Sequence, residues 1–424
     1  MSIQNPKSKT QNRLSGTVIA LGFVSLLTDI SSEMVYTQIP LFLTGVLGAG
    51  PQFVGLIEGI AESAASLLKL LSGWISDQYG QRKPLAALGY AFGAISKPLM
   101  ATAHLWQSVL AFRFLDRVGK GLRTAPRDAL IAETTPKELR GRAFGLHRTM
   151  DTTGAVLGPL LGAFFLSRRH GPLGENLRAL FLFAGLFGLA AVVVICFAVR
   201  EPKRIEKETP APPVLPVAPI DSAPAALSVP APVPPRSLRQ KWELLSPEYR
   251  RFLWVALLFN LGNSSDAFLI LRARGLGFTP LQILLLYAVF NVVEALLGYS
   301  AGRFSDKVGR KPLITAGYFL FAVVYLGLAL TSSKGAIVCL FLLYGGYYTL
   351  TQGTQRAFAA DMADSNQRAT QIGAYHTVVG LALLPASLIA GQLFAWNPAA
   401  PFALGAVTAF CAALLLSRQK ATAR

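Results

Sequence analysis

Residues 73–90 read GWISDQYGQRKPLAALGY, and residues 302–318 read GRFSDKVGRKPLITAGY. Both run Gly, Ser-Asp, Gly, Arg-Lys-Pro-Leu, Gly-Tyr in the same order, with Gln81 as the one extra residue in the first copy. Each lies between the second and third long apolar runs of its half of the chain. Two copies at one topological position indicate an internal duplication, as expected when two helical bundles rock about a shared centre. A shorter echo, SSE at 31–33 and SSD at 264–266, marks the first run of each half.

The apolar runs around these loops set the fold class. Hydrophobic residues make up 52% of the chain and charged residues only 15%, against about 25% charged in a soluble domain. Runs of roughly 20 residues, long enough to cross the hydrocarbon core as a helix, recur along the chain. Twelve spans are predicted: 16–44, 52–75, 85–103, 106–132, 143–166, 177–199, 251–273, 279–301, 313–331, 335–360, 370–393 and 399–417. Loops on one side carry Lys7, Lys9, Arg13, Arg82, Lys83, Lys137, Arg140, Arg142, Lys307, Arg310, Lys311, Arg368 and Arg418. Loops on the other carry chiefly Arg168, Arg169, Arg274 and Lys334. The positive-inside rule then puts both termini in the cytoplasm. The expected location is the bacterial inner (plasma) membrane. Residues 201–248 are dominated by Pro and Ala, with no apolar period, and read as a solvated linker. The chain thus divides into a six-span bundle at 1–200, a linker at 201–248 and a six-span bundle at 249–424.

Other classes are excluded by what the residues lack. The net charge of +18 would suggest nucleic acid in a soluble protein, but here the bases sit in short loops where they set topology. Cys196, Cys339 and Cys411 lie singly in apolar runs, giving neither a disulfide framework nor a metal spacing. No cleavable signal peptide is expected, because the first apolar run is too long. There is no H-E-x-x-H and no G-x-S-x-G, and the GKG at 119–121 lacks the rest of a phosphate loop. An enzyme is not expected.

Span four reads RFLDRVGKGLRTAPRD at 113–128, and its charges pose the sharpest question in the chain. At 100° per residue, Arg113, Asp116, Arg117, Lys120, Arg127 and Asp128 share one broad face. Each charge at the bilayer centre costs roughly 2.5–3.5 kcal/mol on insertion scales. That face must therefore look inward, onto water or opposite charge. Gly119, Gly121 and Pro126 are expected to loosen the helix. Opposite charge is available from Asp29, Glu33, Glu58 and Glu62 in spans one and two, with Tyr36 on the same face of span one. Lys69 follows on the same face of span two. Span five adds His147, Arg148 and Asp151. Spans seven and eight add Asn260, Asn263, Asp266 and Glu294, and spans ten and eleven add Gln352, Gln355, Arg356, Gln371, Tyr375 and His376. Spans three, six, nine and twelve are plain apart from Lys97. These polar residues line the predicted cavity. Arg127, Asp128 and Glu133 are expected to lock helices together, and His147 and His376 to sit as satisfied hydrogen-bonders in helix interfaces.

The duplicated loop, of form G-x-x-x-D-x-x-G-[RQ]-[RK], resembles the signature between spans two and three of the major facilitator superfamily. Arg113 and Gly119 resemble the family's R-x-x-x-x-x-G pattern in span four. GAVLGPLLG at 154–162 resembles its G-x-x-x-G-P-x-x-G element in span five, with Gly154, Gly158, Pro159 and Gly162 permitting close packing and bending. The partner stretch in the second half, GLALLPASLIAG at 380–391, departs from that element. The resemblance covers both halves but not the linker. It implies an all-α membrane protein: two pseudosymmetric six-helix bundles around a central cavity, working as a monomer by alternating access on a small-molecule substrate.

The loop residues Gly73, Asp77, Gly80, Arg82 and Lys83, with Gly302, Asp306, Gly309, Arg310 and Lys311, are then expected to form a cytoplasmic gate. The aspartates would accept hydrogen bonds from a facing helix N-terminus, and the bases would find acids only when that side closes. Asp29, Glu33 and Asp116, with Arg113 beside Asp116, are the candidates for proton coupling, since burial disfavours a carboxylate and a nearby Arg favours it. No cofactor is expected beyond the proton. Arg113, Arg117, Lys120, Arg148 and Arg356 suggest an anionic or zwitterionic solute. The span-five element tilts the direction toward export. The alternatives are antiport of a cationic drug received by Asp29, Glu33, Asp266 and Glu294, or import or exchange of a metabolite or siderophore.

Overall fold

A computed structural model describes residues 14–79, 81–201, 242, 245–363 and 368–419. The predicted linker therefore lies almost wholly outside the described residues, as does Gly80, and so do the side chains of Asp77 and Asp306. The described chain is helical. Span one comprises Gly16–Tyr36 and Ile39–Gly45; spans two to six are Pro51–Tyr79, Arg82–Ala101, Trp106–Glu133, Arg140–Ser167 and Leu173–Ala198. Span seven comprises Pro247–Gly262 and Ala267–Gly275; spans eight to twelve are Pro280–Val308, Arg310–Leu330, Lys334–Asp361, Arg368–Trp396 and Ala400–Arg418. Span seven thus starts at Pro247, two residues inside the predicted linker.

Eight of these segments are long and apolar enough by composition to cross a membrane. Spans two, three, four and ten are too polar to qualify by that measure. A helix of that kind is stable in lipid only with its polar face covered by protein or water.

Both first spans differ from the continuous helices expected. In span one, Pro40 has no N–H to donate and its ring crowds the carbonyl four residues back, so the helix stops at Tyr36 and restarts at Ile39. Gln38, fully buried in the gap, donates to Thr37 Oγ1 at 3.1 Å and reaches the Pro280 carbonyl at 3.4 Å. Span seven breaks without a proline. Its break is the run Asn263-Ser264-Ser265-Asp266, whose short polar side chains compete with the helix for backbone groups; the Ser265 hydroxyl accepts from the Ala267 amide at 3.3 Å.

The packing is pseudosymmetric. In the first half span three packs on four, one on five, two on four, three on six and one on six. The second half repeats this as nine on ten, seven on eleven, eight on ten, nine on twelve and seven on twelve. The halves meet along spans two and eleven, five and eight, and the outer segments of one and seven. Span one and span five approach closely because Gly154 and Gly158 lack side chains: a Cβ there would lie 2.6 and 2.7 Å from the carbonyl oxygens of Leu26 and Ile30. Span four is one unbroken helix of 28 residues. Gly119 does not loosen it but lets it touch span three, where a Cβ would meet the Gly89 oxygen at 2.5 Å.

The close contacts between the halves lie away from the end that carries the linker. Gln52 sits on Gly391, Gly55 on Ser387, Gly59 on Leu384 and Gly162 on Leu284. Ser63 donates to the Gly380 carbonyl at 3.0 Å, and Asn291 to the Ala155 carbonyl at 2.7 Å. Toward the linker end a Cβ on Gly145, Gly298, Gly353 or Gly373 would meet nothing within 4 Å. Among the described residues the close backbone contacts between the halves gather at the far end, and these glycines of the linker end face open space.

Candidate functional site

The charges of span four gather in the first half. Arg113 is 3% exposed and holds Glu58 with a two-pronged contact, Nε to Oε1 and Nη2 to Oε2, both 2.9 Å. Its third nitrogen donates to Asp116 Oδ2 at 3.2 Å. Lys97, from a span expected to be plain, meets Asp116 Oδ1 at 2.5 Å. Arg117 lies 3.3 Å from Glu62 and 3.5 Å from Asp116. Three cations thus face three carboxylates in a water-poor interior. Removing ions from water costs several kcal/mol each, and only good geometry recovers it; the fork of Arg113 on Glu58 is such a geometry. The Arg113 guanidinium also lies over the Tyr36 ring, 5.1 Å from its centroid. Below it Arg123, 7% exposed, lies over Tyr90 at 4.8 Å, with its Nη1 unbonded.

A second group joins the halves. Asp29 and Asp151 bring their carboxyls into hydrogen-bond reach across spans one and five. Ser25 donates to Asp151 at 2.7 Å. Arg148 bridges Asp151 at 3.1 Å and Glu294 of the other half at 2.7 Å. Glu33 sits one turn beyond Asp29, and its Oε2 is buried with no hydrogen-bond partner.

The second half answers with aromatic rings. Asp266, at the break in span seven, accepts from the Tyr344 hydroxyl at 2.6 Å. Asn263 donates to the Tyr347 hydroxyl at 3.2 Å. Tyr348 and Phe290 complete this wall, ring centroids 5.3 Å apart, and Tyr287 faces Tyr36 across the halves at 5.9 Å. None of Tyr287, Tyr344, Tyr347 or Tyr348 was among the residues expected from the sequence. Their signal is YGGYY at 344–348, three rings at helical spacing on one face.

The remaining expected residues scatter. Asn260 donates to Ala256 of its own helix, and Tyr375 donates to Gln355 at 2.8 Å. Lys120, Gln352 and Arg356 are exposed, and His376 is half-buried. His147, expected to be satisfied, has a buried Nε2 with no partner.

The gate residues depart from expectation. Arg82 pairs with Glu133 at 2.9 Å, and Arg310 with Asp361 at 2.8 Å. Both pairs tie the start of one span to the end of the next in the same half. Partner and base are brought together by the packing of spans three on four and nine on ten, within one half. Lys83 donates to the Cys196 carbonyl at 2.8 Å, and Lys311 to the carbonyls of Ser417 and Gln419. Gly73 and Gly302 fall within spans two and eight, and Gly309 ends span eight at a φ of +96°, where a side chain would be strained.

Residues 21–387 match the family model described as Major Facilitator Superfamily. An uncharacterized MFS-type transporter of Methanocaldococcus jannaschii is 35% identical over 421 residues, covering 97% of this chain and 98% of that protein. The multi-drug resistance efflux pump PmrA of Streptococcus pneumoniae is 27% identical over 323 residues, 73% of this chain and 72% of that one. Among solved structures a D-xylose–proton symporter superposes with a TM-score of 0.73 at 15% identity, over 95% of this chain and 97% of its own. With its duplicated six-span halves and a polar interior between them, this multi-pass membrane protein belongs to the Major Facilitator Superfamily of transporters.

Proposed function

We propose that the protein is a plasma-membrane antiporter that exports a positively charged organic solute in exchange for protons, with its linker end in the cytoplasm. The observation that carries this reading is the unequal satisfaction of buried charge. Arg113, Arg117 and Arg148, which suggested an anionic solute, are already neutralised by carboxylates of the chain itself. The Glu33 Oε2 is buried without a hydrogen bond, and Asp266 accepts one from the Tyr344 hydroxyl. A buried carboxyl oxygen left without a hydrogen bond favours a proton or an added cation, because an unsatisfied buried polar group costs about 1–3 kcal/mol. Tyrosine faces beside Asp266 suit a cation, since the ring quadrupole attracts it.

Exchange follows from competition for these acids. A carboxyl–carboxyl contact such as Asp29–Asp151 is favourable only with a proton between the two. Protons and solute then alternate on one set of acids, and the linker end opens in alternation with the far end. The name of PmrA, a multi-drug resistance efflux pump, supports the direction.

The test uses proteoliposomes with an imposed pH gradient and a fluorescent monovalent organic cation. Wild-type protein drives uptake against the cation gradient. Glu33→Gln and Asp29→Asn lose the driven component and keep cation exchange. Equal driven transport in wild type and both variants, or transport of organic anions in place of cations, defeats the proposal.

A further inference from the structure

We propose that Lys69, Arg356 and His376 form an anion site that bridges the two halves at the linker end. The antiparallel register of spans two and eleven puts them there. Gly55 on Ser387, Gly59 on Leu384 and Ser63 on Gly380 fix that register, and Ser66 packs against Gly380 as well. The next turn of each helix brings Lys69 opposite His376. The bond from Tyr375 to Gln355 ties the adjoining positions of spans eleven and ten together at this level. Arg356 lies within electrostatic range of both Lys69 and His376.

This cluster is unlike the rest of the interior. Among the described residues no carboxylate pairs with Lys69 or Arg356. The acid acting on Lys69 is Asp128, and Arg127 already holds it at 2.8 Å. Lys69 and Arg356 are exposed and His376 half-buried, so the three can be reached from the linker end. Elsewhere in the first half Lys97, Arg113 and Arg117 each lie within 3.3 Å of a carboxylate. A lysine and an arginine from the two halves, neither paired with a carboxylate and with the His376 imidazole near them, complement an oxyanion with two or more oxygens. A guanidinium takes such a group through parallel N–H donors and an ammonium through point charge. The ligand chemistry is a phosphate or carboxylate, either free in solution or carried on an anionic lipid headgroup. Because Lys69 belongs to one half and the other two to its partner, the anion would hold the halves together at this level.

Two arms separate the sources. In nanodiscs of phosphatidylcholine, inorganic phosphate is titrated against chloride at equal ionic strength while thermal unfolding is followed. In the second arm phosphate is absent and the discs contain phosphatidylglycerol. A saturable rise of roughly 2 °C or more in the midpoint is expected in one arm; the phosphate arm identifies a soluble anion and the lipid arm a headgroup. The rise is lost in Lys69→Gln/Arg356→Gln and kept in Lys69→Arg, which controls for folding. No rise in either arm, or a rise that persists in the double glutamine variant, overturns the site.

Discussion

The two halves share one topology and fill it with different chemistry. Among the described residues, all six buried charged side chains, Glu58, Lys97, Arg113, Asp116, Arg117 and Arg123, belong to the first half. The second half buries seven tyrosines, at 249, 287, 318, 325, 344, 347 and 375, where the first buries only Tyr90. Duplication fixed the helix packing but not the interior. A polar cavity wall can be built from ions that neutralise each other or from rings that are apolar with a hydroxyl tip. The first solution locks geometry, because every ion needs its partner. The second tolerates change, because a ring keeps most of its burial energy when its hydroxyl loses a bond. This division suits a transporter in which one wall holds charge in place while the other adapts to a solute.

The comparison predicts where mutation hurts most. Arg113→Met strands Glu58 in the core and is expected to destabilise the protein by about 3–5 kcal/mol, while Arg113→Met/Glu58→Met recovers most of that loss. Thermal unfolding in detergent of the two variants checks this; equal loss in single and double variants would deny that the ions act as a pair. Next in size is Gly55→Val, whose added atoms would collide with the Ser387 carbonyl, 2.2 Å from a Cβ. A cost of about 1–3 kcal/mol is expected from such overpacking, together with loss of transport, since the far end could no longer seal. Accessibility of far-end cysteine labels to a membrane-impermeant reagent reads this directly.

On the aromatic side the effects shrink. Tyr344→Phe removes one hydrogen bond to a carboxylate and leaves the ring packing, so about 1.5–3 kcal/mol is at stake in that bond. The expected result is a roughly tenfold or larger change in apparent cation affinity, with a melting-temperature drop smaller than that of Arg113→Met, measured by transport and unfolding in parallel. A melting drop as large as that of Arg113→Met would erase the contrast between the halves. Smallest of all is Arg82→Ala. Its pair with Glu133 is partly solvated, the Glu133 side chain being 44% exposed, and exposed pairs contribute at most about 1 kcal/mol. Transport within two-fold of wild type is expected, whereas a gate that depended on this pair would lose it.

Much of the site was readable in particular residues. The charged face of span four had to find acids, and Glu58 and Glu62 of span two were among the nearest by topology; both pair there. Lys97 stood out in a plain span and meets Asp116. The breaks were legible in part: Pro40 announces one, while the Asn-Ser-Ser-Asp run of span seven hid the other inside an apolar pattern. The tyrosine wall escaped notice because a ring at helical spacing is indistinguishable from ordinary core until its neighbours are known.

Length, hydropathy and the repeated loop were enough to determine twelve spans in two related halves, because lipid accepts only helices with satisfied backbones and repetition leaves its mark in order along the chain. Tertiary structure alone decided which charges cancel, that Arg82 and Arg310 pair within their own halves, and that among the described residues the Glu33 Oε2 is left without a hydrogen bond and Lys69 and Arg356 without a paired carboxylate. Those outcomes depend on distances of a few ångströms between helices far apart in sequence, and Coulomb energy in a medium of low polarisability changes steeply over such distances.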